Sequence, residues 1–180
     1  MRLSTIAVRC MTIGFMFLLL SADYSHSESR KEMQVSLGAN PLGTMYGVGV
    51  EFESGEKNSL LVRGGGFSYY YETDGYTEEG GGSIFGVYGK FYSGKSMEGM
   101  YFGFGIDRIS VSVDWWEYVY QGDLYGHIEA EGFAPGVMIG NKMDMGETKV
   151  EPFLFVSMLP GDLENNTIFA FGVNVGFPLK

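Results

Sequence analysis

His127 is followed by Ile128-Glu129, with Ser110 and Ser112 upstream and Asp123 four residues before it. A histidine, a serine hydroxyl and a carboxylate are the parts of a nucleophilic relay, in which the imidazole takes the hydroxyl proton and the acid orients the ring. A lone histidine on a strand near water is more often a polar rim residue, and no catalytic residue is assigned. No phosphate loop, zinc-ligand spacing or dinucleotide fingerprint occurs in the chain. The single cysteine, Cys10, can make neither an intramolecular disulfide nor a cysteine-rich metal site. The residue types therefore predict no enzyme, no cofactor and no metal centre.

Two other groups could act. Glu51, Glu53, Lys90 and Glu151 fall at alternating positions opposite large apolar residues, and Arg63 and Asp107 fit the same side. Opposite charges in a narrow interior pair, because a lone buried charge is costly. These six residues are expected to form an internal polar network, either a plug or a polar path for a small solute. The second group is aromatic. Asp114-Trp115-Trp116-Glu117-Tyr118-Val119-Tyr120 joins two expected strands, and Tyr69-Tyr70-Tyr71 precedes an acidic loop, Asp74–Glu79. Trp115, Trp116, Tyr118 and Tyr120 with Tyr69, Tyr70 and Tyr71 suit an interfacial aromatic rim on one side of the molecule. An acidic rim attracts divalent cations, but no calcium-loop spacing supports a specific site.

The elements that must position these groups are strands. Glycine is spread through every apolar segment, which disfavours helix by about 1 kcal/mol per residue against alanine, and the apolar period is two. Phe169, Phe171, Val173, Val175 and Phe177 oppose Ala170, Gly172, Asn174 and Gly176. Tyr46, Val48, Val50 and Phe52 oppose Gly47, Gly49, Glu51 and Glu53 in the same way. Between polar turns the pattern predicts eight strands, at about 33–38, 44–53, 59–72, 81–92, 99–114, 127–139, 148–158 and 167–177. The turns fall at 39–43, 54–58, 73–80, 93–99, 118–126, 140–147 and 160–166. At Asp107-Arg108 the alternation changes phase: Ile106 has one parity, and Ile109, Val111 and Val113 have the other. A β-bulge is the expected cause.

Composition sets the surroundings. The chain has 180 residues, with 28 Gly, 14 Phe, 12 Tyr and a net charge of -10. That charge argues against nucleic acid as a partner, which requires a basic face. Residues 1–27 read as a cleaved export signal: Arg2 and Arg9 precede an apolar run, Met11–Leu20, too short to span a bilayer as a helix. Cleavage is expected after Ser27, with Ala22 as the alternative. Losing Arg2, Arg9 and Asp23 leaves a cysteine-free domain, 28–180, with ten basic and 21 acidic residues. Large aromatic residues opposite glycine suit lipid outside and a tight interior. The alternative is a soluble periplasmic lipocalin-like barrel with the apolar face inward.

The export signal, eight alternating strands and the closing aromatic run FAFGVNVGF (169–177) resemble the small outer-membrane β-barrel superfamily, which includes OmpA-like and OmpW-like barrels and other porin-like families. The resemblance covers about residues 33–180. Asn40-Pro41-Leu42-Gly43, followed by a Tyr/Val/Gly run to Glu53, is similar to the opening of barrels in this group. Family members usually end in a terminal aromatic, whereas here Phe177 is followed by Pro178, Leu179 and Lys180. The resemblance implies an all-β, single, eight-stranded antiparallel up-and-down transmembrane barrel in the outer membrane of a bacterium. It implies outer-membrane lipid and the barrel assembly machinery as partners, and an extracellular ligand or surface partner for the outer loops. The role it implies is structural or surface-interactive. A narrow channel or binding barrel for small or hydrophobic solutes is the alternative, and a lipid A-modifying enzyme a remote one. The His-x-Ser and Asp-Ser arrangements of such enzymes are absent from the chain.

Overall fold

A computed structural model describes residues 30–40, 43–119, 122–158 and 167–179. The expected export signal and Tyr120 lie outside them. The described chain is all strand: β1 (Lys31–Asn40), β2 (Gly43–Gly55), β3 (Asn58–Thr73), β4 (Tyr76–Tyr92), β5 (Gly99–Val119), β6 (Gly122–Asp144), β7 (Lys149–Met158) and β8 (Thr167–Leu179). Each pairs antiparallel with the next, and β1 pairs with β8, so the sheet closes on itself. Closure leaves no edge at the level of the ring, which is what a sheet in lipid needs.

All eight expected strands are present. β4, β5 and β6 run further than the turn residues suggested. Trp115, Trp116 and Tyr118 lie on β5, not in a loop, because the β5–β6 ladder continues to Val119↔Gly122. The strand lengths are uneven. β1 and β7 have 10 residues, β2 and β8 have 13, and β3 to β6 have 16, 17, 21 and 23. A tilted strand crosses the hydrocarbon in roughly 9–11 residues. β3–β6 therefore rise beyond the ring as a four-stranded projection, at the end away from the chain termini.

The expected bulge at Asp107-Arg108 is absent. β5 keeps unbroken register with β4 and β6 through this point, with Asp107 opposite Gly86 and Ala134 and Arg108 opposite Phe85 and Phe133. What reverses is the environment. On the terminal side of Arg108, Phe102, Phe104 and Ile106 face outward and Tyr101 and Asp107 face inward. Beyond it, Ile109, Val111 and Val113 are buried inside and Arg108, Ser110, Ser112 and Asp114 face out. β6 repeats the switch: Phe133, Val137 and Ile139 face out below, and His127, Glu129 and Glu131 face out above.

Around the ring the outward belt holds Val35, Leu37, Tyr46, Val48, Phe85, Phe102, Leu154, Phe169, Phe171 and Val173, many of them about half exposed or more. An apolar belt of that extent is stable against lipid, not water. The soluble alternative required these side chains inside, and they are outside.

Candidate functional site

The interior is built in three layers. The layer nearest the termini is ionic. Lys90 Nζ lies 2.8 Å from Glu151 Oε1 and 3.2 Å from Glu51 Oε2. Lys142 Nζ lies 2.6 Å from Glu51 Oε2, 2.9 Å from Glu32 Oε1 and 3.4 Å from Glu151 Oε2. Gln34 Nε2 donates to Glu51 at 2.5 Å and to Glu32 at 3.2 Å. The hydroxyls of Tyr92 and Tyr101 donate to Glu51 (2.5 Å) and Glu151 (2.7 Å), Asn174 Nδ2 donates to Glu151 (2.7 Å), and Ser59 donates to Glu51. All of these side chains are buried. Three carboxylates and two ammonium groups sharing this many donors satisfy one another where an isolated charge could not stay.

The middle layer centres on Arg63. Its Nη2 lies 3.2 Å from Asp107 Oδ1 and 3.4 Å from the Tyr88 hydroxyl, and its guanidinium sits 4.1 Å above the Phe155 ring. Tyr88 donates to Asp107. Glycines make this packing possible. A Cβ at Gly136 would overlap the Tyr88 hydroxyl, and one at Gly86 would overlap the Asp107 carboxylate. The third layer, toward the projection, is apolar: Met45, Phe67, Ile84, Ile109, Val111, Val113 and Ala170. At the terminal end the 93–98 turn is tied inward. Ser96 N donates to Glu56 O and Lys149 Nζ to Ser96 O, and Met97 is buried in the core. Ser96 and Met97 both hold φ of 58°, a left-handed conformation that these ties maintain.

Five of the six sequence-assigned interior residues, Glu51, Lys90, Glu151, Arg63 and Asp107, join these ion pairs. Glu53 is half-buried at the strand end and joins none of them. The six assigned residues leave out Glu32, Gln34, Lys142, Tyr88, Tyr92 and Tyr101, although the alternation does put Tyr88 and Tyr101 on the inward face. Glu32 falls outside the predicted first strand, 33–38, and Lys142 inside the predicted turn 140–147. Their parity with Gln34 and Gly140 on longer strands was the available signal.

The projection divides the aromatic residues between its two faces. Tyr70 and Trp116 face outward, with Trp116 6.0 Å from the ring of Tyr125. Tyr69 and Trp115 turn inward, Tyr69 donating to Glu78 at 2.9 Å. Tyr71 lies 6.4 Å from Tyr76, and Tyr118 is highly exposed. On the outer face His127 Nδ1 is 2.7 Å from Asp114 Oδ1, Nε2 is 3.3 Å from Glu129 Oε1, and Tyr125 donates to Asp114 at 2.8 Å. These bonds, Asp114's first, hold the imidazole pKa above its ordinary value, and His127's bond holds the Asp114 carboxyl below its own. Both ring nitrogens face carboxylates, and Ser110 and Ser112 lie opposite Glu131 and Glu129. The geometry therefore assembles no serine–histidine relay.

A closed eight-stranded antiparallel ring with an apolar outer belt and an ionic interior is the fold of the small outer-membrane β-barrels. Solved structures of that class match it. CarO of Acinetobacter baumannii aligns at TM-score 0.57 and 11% identity over 81% of this chain and 96% of its own. Ail of Yersinia pestis, in complex with the heparin analogue sucrose octasulfate, aligns at 0.53 and 8% over 84% and 97%. The N-terminal β-barrel domain of Pseudomonas aeruginosa OprF aligns at 0.50 and 13% over 83% and 97%. No protein-family model matches the chain, and no curated protein matches it.

Proposed function

We propose that this protein is a sealed outer-membrane barrel whose projection, at the cell surface, carries its function as an interaction scaffold. The observation that carries this reading is the reversal of sidedness at Arg108, on strands that continue well past it. Lipid outside and charge inside give way to water outside and an apolar interior. A sheet of that construction stands clear of the bilayer. The filled lumen supports a scaffold over a passage, because the ionic layer, the Arg63 layer and the apolar layer occupy it in series. Ail is solved with a polyanionic sugar, but the projection here carries Glu72, Asp74, Glu78, Glu79, Asp114, Glu117, Asp123, Glu129 and Glu131 against a single arginine, Arg108. That charge favours a cationic partner.

Envelope fractionation with boiled and unboiled gel lanes tests the reading. Outer-membrane recovery with a heat-dependent mobility shift is expected, and planar-bilayer recording is expected to give no steady conductance. Recovery in the soluble periplasm without a shift overturns the barrel reading, and a stable ohmic channel overturns the sealed one.

A further inference from the structure

The outer face of the projection carries a groove of about 590 Å³ at its foot, just clear of the apolar belt. Its floor is one row of register partners across four strands. Thr44 of β2 pairs with Ser68 of β3, Ser68 with Gly81 of β4, and Gly81 with Ser112 of β5. The row spans roughly 14 Å at the usual strand spacing. A Cβ at Gly81 would come within 2.8 Å of Phe67 O, so the position stays bare and leaves a gap between the hydroxyls of Ser68 and Ser112. Two residues further from the belt, Tyr70, Glu79 and Asp114 form the upper wall, again as register partners.

The groups on these walls suit a ligand of mixed chemistry. Glu79 stands directly across from Asp114, and like charges at opposed positions repel. Asp114 Oδ1 meets both His127 Nδ1 and the Tyr125 hydroxyl, which leaves Oδ2 for a further donor. Among the described residues, no side chain meets the Glu79 carboxylate or the Ser112 hydroxyl. Two such carboxylates favour a cationic group between them. The hydroxyls of Thr44, Ser68 and Ser112 call for partners that both donate and accept. The Tyr70 ring, 52% exposed, adds an apolar wall. No lysine or arginine lines the groove, so a phosphate or sulfate would find no counter-charge there. An inorganic cation would use the carboxylates and leave the hydroxyl row and the ring idle.

We propose that this groove binds a short saccharide carrying a free amine. The ammonium group sits between Glu79 and Asp114, and the sugar hydroxyls exchange hydrogen bonds with Ser112, Ser68 and Thr44. The C–H face of the sugar lies on Tyr70, and bare Gly81 lets the ring approach the sheet. The inference rests on the surface-scaffold reading above and deepens it, giving the cationic partner a chemical class. The sugar belongs either to a glycan presented from outside the cell or to a headgroup of the surrounding leaflet.

The test uses the full protein folded into neutral phosphatidylcholine vesicles in mildly acidic buffer, where a sugar amine is protonated. Calorimetric titration compares the glucosamine disaccharide, its N,N′-diacetyl form and 1,4-diaminobutane. The glucosamine disaccharide is expected to bind about tenfold more tightly than either other probe, the scale of one charge-assisted hydrogen bond. Glu79→Gln is expected to lose about tenfold for that disaccharide. Ser68→Ala with Ser112→Ala is expected to weaken the disaccharide about fivefold and leave the diamine unchanged. Glu117→Gln, near the tip of the projection, is expected to change nothing. Equal binding of the diamine would reduce the groove to an acidic surface and overturn the proposal. Equal binding of the acetylated sugar, or indifference to Glu79→Gln, would overturn it too. Lipopolysaccharide added to the vesicles distinguishes the two sources, both in support: competition assigns the sugar to the leaflet, and undiminished binding assigns it to an outside glycan. The heat-dependent gel shift of the same sample separates the two failures. Its loss indicts the barrel, and its retention without sugar discrimination indicts only the groove.

Discussion

Glu51 receives Lys90, Lys142, Gln34, Tyr92 and Ser59, so its charge is shared among five donors in a space closed to water. Removing one ammonium exposes the arithmetic of that cluster. Lys90→Met leaves three carboxylates facing one lysine and is expected to cost about 3–5 kcal/mol, read as the urea midpoint of the gel-shift transition. The double change Lys90→Met with Glu151→Gln is expected to cost less than the sum of the single changes, because it also removes a stranded charge. On the outer face, the pKa of His127 lies above the usual 6.5 because Asp114 and then Glu129 accept its protons. A raised folded-state value means the contribution is fully present below about pH 6.5 and is lost as the pH climbs through the folded-state value. A ring-proton titration by NMR should place the His127 midpoint above 6.5, and Asp114→Asn should lower it. A midpoint indifferent to Asp114 would refute the pairing.

At the scale of the strand, β5 shows how one alternation serves two solvents. Large apolar side chains mark the outward face where lipid lies outside, and the inward face where water does. A phase change in the sequence therefore needs no extra residue, only a boundary. Val111 and Ser112 separate this account from a bulge. Val111→Asp places a carboxylate in the apolar interior and is expected to destabilise by about 2–4 kcal/mol, whereas Ser112→Asp should fall within about 0.5 kcal/mol of the parent. Equal costs at the two positions would contradict the assigned faces. The same strand shows the limit of turn residues as boundary markers. Gly75 and Gly122 do sit at or beside hairpin turns with positive φ, at 80° and 132°. Polar residues around them, Glu72, Thr77, Glu78, Glu79, Glu117 and Asp123, lie in paired strand, because a projecting sheet is solvated on its outer face as a loop would be.

For the whole molecule, orientation is the open variable that function depends on, and a domain without cysteine makes it measurable. A cysteine replacing Glu117, near the tip of the projection, should react with a membrane-impermeant thiol reagent on intact cells. One replacing Lys57, in a turn at the terminal end, should react only after lysis. The reverse pattern would put the projection in the periplasm and end the surface reading. Much of the fold was already legible along the chain, because period-two apolarity, glycine opposite aromatics and regular turns leave few closed arrangements. Eight strands and the inward charges of Glu51, Lys90, Glu151, Arg63 and Asp107 follow from parity alone. Parity says which face a residue takes, but not which distant residues share its level. Lys142 meets Glu32 across 110 positions of sequence, and the pairing of every strand had to be fixed before that contact existed. The projection and its reversed sidedness likewise depend on where neighbouring strands stop. That is decided by the register of the closed sheet, which no single strand carries.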